Sequence, residues 1–410
     1  MTRKQYFIII LILGAVSTIS PFSIDMYLPG FPAIAESLHT TIDQVGLSLT
    51  AYLVGISVGQ LIYGPLLDRY GRKNPLYAGL ILYVFASVGC ALTSSVEALI
   101  FMRFLQAIGG CAGLVAAQAL VRDIFPADKT AQAFSMLVLV VAVSPMVAPT
   151  VGGYVTAAFG WHYIFITLAA ITLIIIGSIY YLLPEGKKAD PSLSLKPKAV
   201  LNNFYKVVKQ PQFLVYAVTG GIATTGSFAY IAGSPSVFMN IYGLNEKQYG
   251  WIFSFLALAI VGSPQLNHIL LRKFKSEQII KMALLYQCSI GAILVIGTWL
   301  GWYDLYVLLA MMFLFLLGQG LTGPNSTALS LAPFSKHAGS AAALLGAFRM
   351  AMAGVITALI SALPNDTALP MVGIMVLCAF IGLLILAAGK TTIRYRASRK
   401  KIEEESSVIV

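Results

Sequence analysis

A chain of 410 residues in which 58% are apolar and only 10% are charged has too little polar surface to cover ordinary soluble domains, whereas a lipid-facing surface accommodates that balance. Its net charge of +11 sits in short clusters between apolar runs, without a run of base-stacking aromatics, which excludes a nucleic-acid face and points to membrane topology. Cys90, Cys111, Cys288 and Cys378, with His39, His162, His268 and His337, fall at no metal-ligand spacing. Neither a metal, a cofactor nor a nucleophile–base cluster is expected, and the chain does not read as an enzyme.

Apolar runs of about 20 residues, the length that crosses a hydrocarbon layer, recur twelve times. They lie at 6–33, 45–66, 75–93, 98–121, 131–156, 162–183, 211–238, 248–269, 278–299, 304–331, 339–361 and 370–389. The first begins after Arg3 and Lys4 but runs into Pro21, Asp25 and Pro29 instead of a small-residue cleavage site, so a retained helix is expected. The turns after even-numbered spans and both terminal segments hold nearly all the cations, Lys247 being the exception, and this sorting predicts cytoplasmic termini. The chain is therefore read as an all-α polytopic protein. It divides into a six-helix bundle at 1–184, a Pro-, Ser- and Lys-bearing linker at 185–210, a second bundle at 211–389 and a tail at 390–410. Gly109-Gly110 followed by Ala119-Leu120 is echoed by Gly318-Gln319-Gly320 followed by Ala328-Leu329, as two repeated bundles with a cavity between them would require.

A charge inside the hydrocarbon costs roughly 2.5–3.5 kcal/mol, so each one needs a reason. Asp25 lies between Pro21 and Pro29, about 28 Å along the first helix from Tyr6 at 1.5 Å per residue. Burial disfavours its charged form, so it can take a proton or meet a cationic substrate in competition, which is a mechanism for exchange; the alternative is a carboxylate that only orders the helix end. Arg103, in the fourth span, is placed at a similar depth and is expected either to meet Asp25 or to snorkel. Arg349, near the middle of the eleventh span, is expected to attract an anionic or carbonyl-bearing substrate or to cap carbonyls of a neighbouring helix. Tyr27, Tyr52, Tyr230, Gln319 and Asn325 are candidate cavity-lining residues.

Between the second and third spans, Gly64-Pro65-Leu66-Leu67-Asp68-Arg69-Tyr70-Gly71-Arg72-Lys73 forms a turn too short to be a domain. Gly64 would permit close helix approach and Gly71 a tight reversal. Asp68 is expected to meet a helix start of the other half, while Arg69 and Arg72 meet acidic groups such as Asp123, making a conformational latch. In the fifth span, Pro145, Pro149, Gly152 and Gly153 combine bending with close approach and are assigned to the outer gate or to tight packing.

These stretches resemble the major facilitator superfamily and, within it, the drug:proton antiporters of the Bcr/CflA type. Gly64 to Lys73 is similar to the superfamily's loop signature, Arg103 to Gly109 to that of the fourth span, and Ala148-Pro149 with Gly152-Gly153 to the antiporter signature of the fifth. Asp25 to Pro29 and Arg122-Asp123 resemble the subfamily. The loop at Asn267–Lys273 lacks the corresponding pattern, and Ala148 stands where many exporters carry glycine. The resemblance implies alternating-access export of small amphiphilic drugs or metabolites in exchange for protons, by a monomer in the bacterial inner membrane. Uptake by symport and a non-transporting receptor or scaffold are the competing readings. Partners are thus the bilayer, protons and a small molecule, with no nucleic acid.

Overall fold

A computed structural model of the chain describes residues 3–191, 197–334, 338–363 and 366–408. Fourteen helices account for nearly all of them: α1 (Arg3–Asp25), α2 (Phe31–Ser37), α3 (Ile42–Tyr70), α4 (Lys73–Ala91), α5 (Val96–Ile124), α6 (Ala127–Phe159), α7 (His162–Leu182), α8 (Pro197–Val208), α9 (Pro211–Pro235), α10 (Glu246–Leu270), α11 (Ser276–Trp299), α12 (Leu305–Leu331), α13 (Ala338–Ala362) and α14 (Leu369–Val408). Among the described residues, twelve segments are long and apolar enough to span a bilayer, and they coincide with the twelve runs read from the sequence.

Helix boundaries follow local chemistry. Thr41, Ser95, Asn245 and Asp304 each accept a backbone N–H in the first turn of α3, α5, α10 and α12, satisfying donors that the helix itself leaves open. Gly71 ends α3 at φ +79°, a conformation that costs glycine least. The first span is not one rod: α1 stops at Asp25, a turn of 3-10 helix covers Leu28–Gly30, and α2 resumes at Phe31. By contrast α6 runs unbroken through Pro145 and Pro149. The last helix continues well past the span end expected at 389.

Taken in chain order, α1–α7 are a first set of helices and α9–α14 a second, on either side of α8. In the first, α1 packs on α5, α6 and α7, α5 on α3 and α4, and α4 on α7; in the second, α9 packs on α12, α13 and α14, α11 on α12 and α14, and α10 on α12. The sets meet chiefly through α3 against α13 and α6 against α10. The first seam is zipped by Thr50 Oγ1 to Thr357 Oγ1 at 2.9 Å and Ser57 Oγ donating to the Ala347 carbonyl at 2.8 Å. The second is closed by Thr150 Oγ1 to Ser254 Oγ at 2.9 Å and Ser254 donating to the Met146 carbonyl at 2.5 Å. A Cβ at Gly153 would overlap the Glu246 carbonyl, and one at Gly250 would lie 2.8 Å from the Pro149 carbonyl, so backbones touch where α6 ends and α10 begins. That end is opposite the one bearing the termini. At the terminal end, a Cβ on Gly64 would meet nothing within 4 Å. The close helix approach expected at Gly64 is therefore not made.

Candidate functional site

The end of α1 and the first third of α5 hold two buried charges of opposite sign without pairing them. Arg103 is fully buried on α5. Its guanidinium lies 4.1 Å from the Tyr27 ring centre and 4.2 Å from that of Tyr52, held between two aromatic faces, with Phe165 at 5.7 Å. Ring quadrupoles replace part of the hydration an arginine loses on burial. Nη1 donates to Gln106 Oε1 at 2.6 Å and Nη2 to the Ser23 carbonyl at 2.8 Å. Gln106 Nε2 donates to Ser87 Oγ at 2.8 Å, Ser87 donates to the Tyr83 carbonyl at 2.7 Å, and the Tyr83 hydroxyl meets Ser23 Oγ at 2.5 Å. This chain of bonds closes on itself through α1, α4 and α5 and fixes the orientation of the guanidinium.

Asp25, 4% exposed, makes no ion pair among the described residues. The expected Asp25–Arg103 contact is therefore absent: the two Nη groups of the arginine are taken by one amide and one carbonyl and its faces by the Tyr27 and Tyr52 rings, while its buried Nε has no partner among the described residues. The helix ends at Asp25, whose carboxylate is within electrostatic range of Tyr249 and Tyr230 on α10 and α9. Tyr249 bonds Ser234 at 2.7 Å, whereas the Tyr230 hydroxyl is buried without a partner and its ring stacks on Phe253 at 5.1 Å.

Arg349 forms the second contact anticipated for it. Its Nη2 donates to Ser326 Oγ at 3.1 Å and to the Gly323 carbonyl at 3.4 Å, both on α12, while its buried Nε has no partner. A side chain at Gly220 would fill the space where Ser326 and Arg349 meet. Two of the five cavity candidates prove to be ties between helices: Gln319 Nε2 donates to the carbonyls of Thr224 at 2.6 Å and Ala223 at 3.2 Å, and Asn325 Nδ2 to Asn267 Oδ1 at 2.6 Å. Tyr27 and Tyr52 form the arginine cage; the Tyr52 hydroxyl, the Tyr230 hydroxyl and Gln319 Oε1 are buried with no hydrogen-bond partner among the described residues.

The turn after α3 forms a clasp within one helix set. Arg72 donates from Nε to Asp123 Oδ2 and from Nη1 to Asp68 Oδ1, both at 2.7 Å. Burial works against its charge, but the hydrogen bonds and charges of Asp123 and Asp68 outweigh that and push its pKa above the ordinary arginine value. The Arg72–Asp123 contact matches expectation. Asp68 does not reach a helix start of the other set, because Arg72 four residues on takes its carboxylate; Arg69 lies over the Tyr70 ring at 5.8 Å. The linker was not anticipated as a participant. Lys187 N donates to Asp123 Oδ2 at 2.9 Å, Asp190 N donates to the Asp68 carbonyl at 3.3 Å, and Lys73 pairs with Glu185 at 3.1 Å. A Cβ at Gly186 would lie 2.6 Å from Arg72 Cγ, so only glycine lets the linker cross there. Gly152 packs directly on the Met26 carbonyl, one residue from Asp25, and thereby couples the α6–α10 seam to the break in the first span. Among the described residues no cluster of three or more His, Cys, Asp or Glu side chains is present.

The model of the Major Facilitator Superfamily matches residues 13–357. The chain is 32% identical to the uncharacterized MFS-type transporter YdgK of Bacillus subtilis strain 168 over 385 residues, 93% of this chain and 95% of the relative. It is 31% identical to the bicyclomycin resistance protein homolog of Haemophilus influenzae, covering 93% and 96%. To a chloramphenicol resistance protein of Pseudomonas aeruginosa it is 31% identical, covering 97% and 93%. Among solved structures, it superposes on a bacterial homologue of the human lysosomal transporter Spinster in an inward-facing, occupied conformation, with TM-score 0.73 and 14% identity over 97% of this chain and 98% of that one. Twelve spans, a match running through most of them and relatives aligned almost end to end place this chain in the Major Facilitator Superfamily, as a polytopic membrane transporter of small molecules and not an enzyme.

Proposed function

We propose that the protein exports small amphiphilic drugs or metabolites in exchange for protons, by alternating access between two six-helix bundles (1–184 and 211–389) joined by the 185–210 linker. It acts as a monomer in a bacterial inner membrane with both termini cytoplasmic. The observation that carries this reading is Asp25: a buried carboxylate without an ion pair among the described residues, at a helix break, within electrostatic range of tyrosines of the opposite bundle. A carboxylate already neutralised by Arg103 could not trade a proton for a substrate; one held apart from it can.

In this scheme protonation of Asp25 and binding of a substrate beside it exclude one another. Arg103 stays charged in its aromatic cage and positions the end of α1 through the Ser23 carbonyl. Arg349 offers its unpartnered Nε to the acceptor pole of the substrate from the second bundle. The drug-resistance names of two relatives favour export.

The test is substrate-induced proton release from purified wild type and Asp25→Asn, with a chloramphenicol-type compound, a sulfonamide, a cationic dye and a small peptide as ligands. Release from wild type alone supports the assignment. Ligand binding without release, or release that survives in Asp25→Asn, refutes it. Flux measured in oriented vesicles separates export from symport.

A further inference from the structure

Helix α8 in the linker carries three stripes, each following from a 100° step per residue. Val207, fully buried, and Phe204, half-buried, face the protein; Val207 packs with Phe213 and Ala217 of α9 and with Ala341 and Leu345 of α13. One step round, Leu201, Tyr205 and Val208 are 63%, 58% and 43% exposed at positions i, i+4 and i+7. A further step brings Asn202 and Lys206, with Lys209 in the turn just past the helix end, all exposed. The open apolar stripe thus lies between a protein-facing side and a cationic side. Lys209 Nζ sits 4.5 Å from the Tyr205 ring centre, so an ammonium group marks the boundary between the apolar and polar stripes.

Placement decides what covers the apolar stripe. Only Lys209 and Gln210 separate α8 from α9, whose first turn exposes Leu214, 47% accessible, on the lipid-facing side of a span. The stripe is therefore level with the end of the hydrocarbon layer, where an amphipathic helix lies in the plane of the interface. Lysines bordering it complement the negative surface of anionic lipids. The geometry points to a peripheral lipid site: Leu201, Tyr205 and Val208 insert at the headgroup–acyl boundary while Lys206 and Lys209 bind the phosphate headgroups of anionic phospholipid. Through Val207 this contact reaches Ala341 and Leu345 on α13, the helix that forms the α3 seam.

The experiment is hydrogen–deuterium exchange of the full chain in nanodiscs of phosphatidylcholine alone and of phosphatidylcholine with phosphatidylglycerol. Amides of 197–208 are expected to exchange about tenfold more slowly in the anionic bilayer, at several-fold per lysine engaged. That difference is expected to disappear in the Lys206→Gln, Lys209→Gln double variant and to persist in Lys273→Gln, Lys275→Gln, which removes the same charge from another exposed turn at that end. Equal exchange in the two bilayers overturns the proposal. So does protection that survives in the first variant, since the headgroups would then not be held by these lysines. Neither readout depends on substrate or on proton coupling.

Discussion

The Arg103 guanidinium rests 4.1 Å from the centre of the Tyr27 ring, two residues along the chain from Asp25, with which the guanidinium forms no ion pair among the described residues. Two charges on helices that pack against each other are kept from neutralising each other because aromatic faces serve one of them. The ring matters more than its hydroxyl, which is 3.4 Å from Ser48. Tyr27→Phe is expected to keep thermal stability close to wild type, whereas Tyr27→Leu loses about 2 kcal/mol, the scale of a desolvated cation–π contact. Thermal unfolding in detergent distinguishes them; equal losses would sink the cage as the source of Arg103 stability.

Replacing Arg103 by lysine keeps the charge but not the planar fork that serves Gln106 and Ser23 together. Transport is expected to fall by at least tenfold, with the protein still folded, as one buried acceptor loses its donor at about 1–3 kcal/mol. Full transport by Arg103→Lys would mean that charge alone suffices at this position.

Asp25→Asn removes the exchangeable proton without changing side-chain size. Drug accumulation assays in cells expressing the variant are expected to match cells without the transporter, while ligand binding to purified variant persists. Wild-type resistance from Asp25→Asn would exclude Asp25 as the carrier.

The clasp at Arg72 is expected to hold the linker as well as the turn. Asp123→Asn weakens both the Arg72 bond and the acceptor for Lys187 N, at a cost of about 1–3 kcal/mol for charge-assisted hydrogen bonds. Trypsin should then cut after Lys187 and Lys188 several-fold faster than in wild type; unchanged cleavage would mean the linker is pinned by other contacts.

Glycines at the two ends of the molecule are expected to respond oppositely. Gly152→Ala drives a Cβ into the Met26 carbonyl, and overpacking against backbone costs typically about 1–3 kcal/mol, so stability and transport both fall. Gly64→Ala meets open space and is expected to leave stability unchanged. A cysteine-accessibility profile of α10 would show whether Gly152→Ala opens the seam; an unaltered profile with normal transport would contradict the close contact.

The spans were legible because their signal is thermodynamic and local: each needs about 20 apolar residues, and no neighbour can supply them. Asp25, Arg103 and Arg349 stood out for the same reason, since an ionisable group in an apolar run is costly wherever it ends up. Their partners were not legible. Depth along a helix placed Asp25 and Arg103 together, but rotation about the helix axis decides contact, and rotation is set by packing among α1, α4, α5 and α7. Gln319 and Asn325 looked like cavity residues because polarity in a span is visible in sequence, whereas the carbonyl or amide that satisfies it belongs to another helix. Gly186 carried no signal in a stretch that read as a linker; only the crossing over Arg72 gives that glycine its role.

Sequence alone thus determined which segments enter the bilayer and which residues resist it, because insertion is governed by the composition of each segment. Tertiary structure alone decided that Arg103 is caged by tyrosines, that Asp25 does not pair with it and that the linker closes on Asp123, because each depends on where a second helix turns its face.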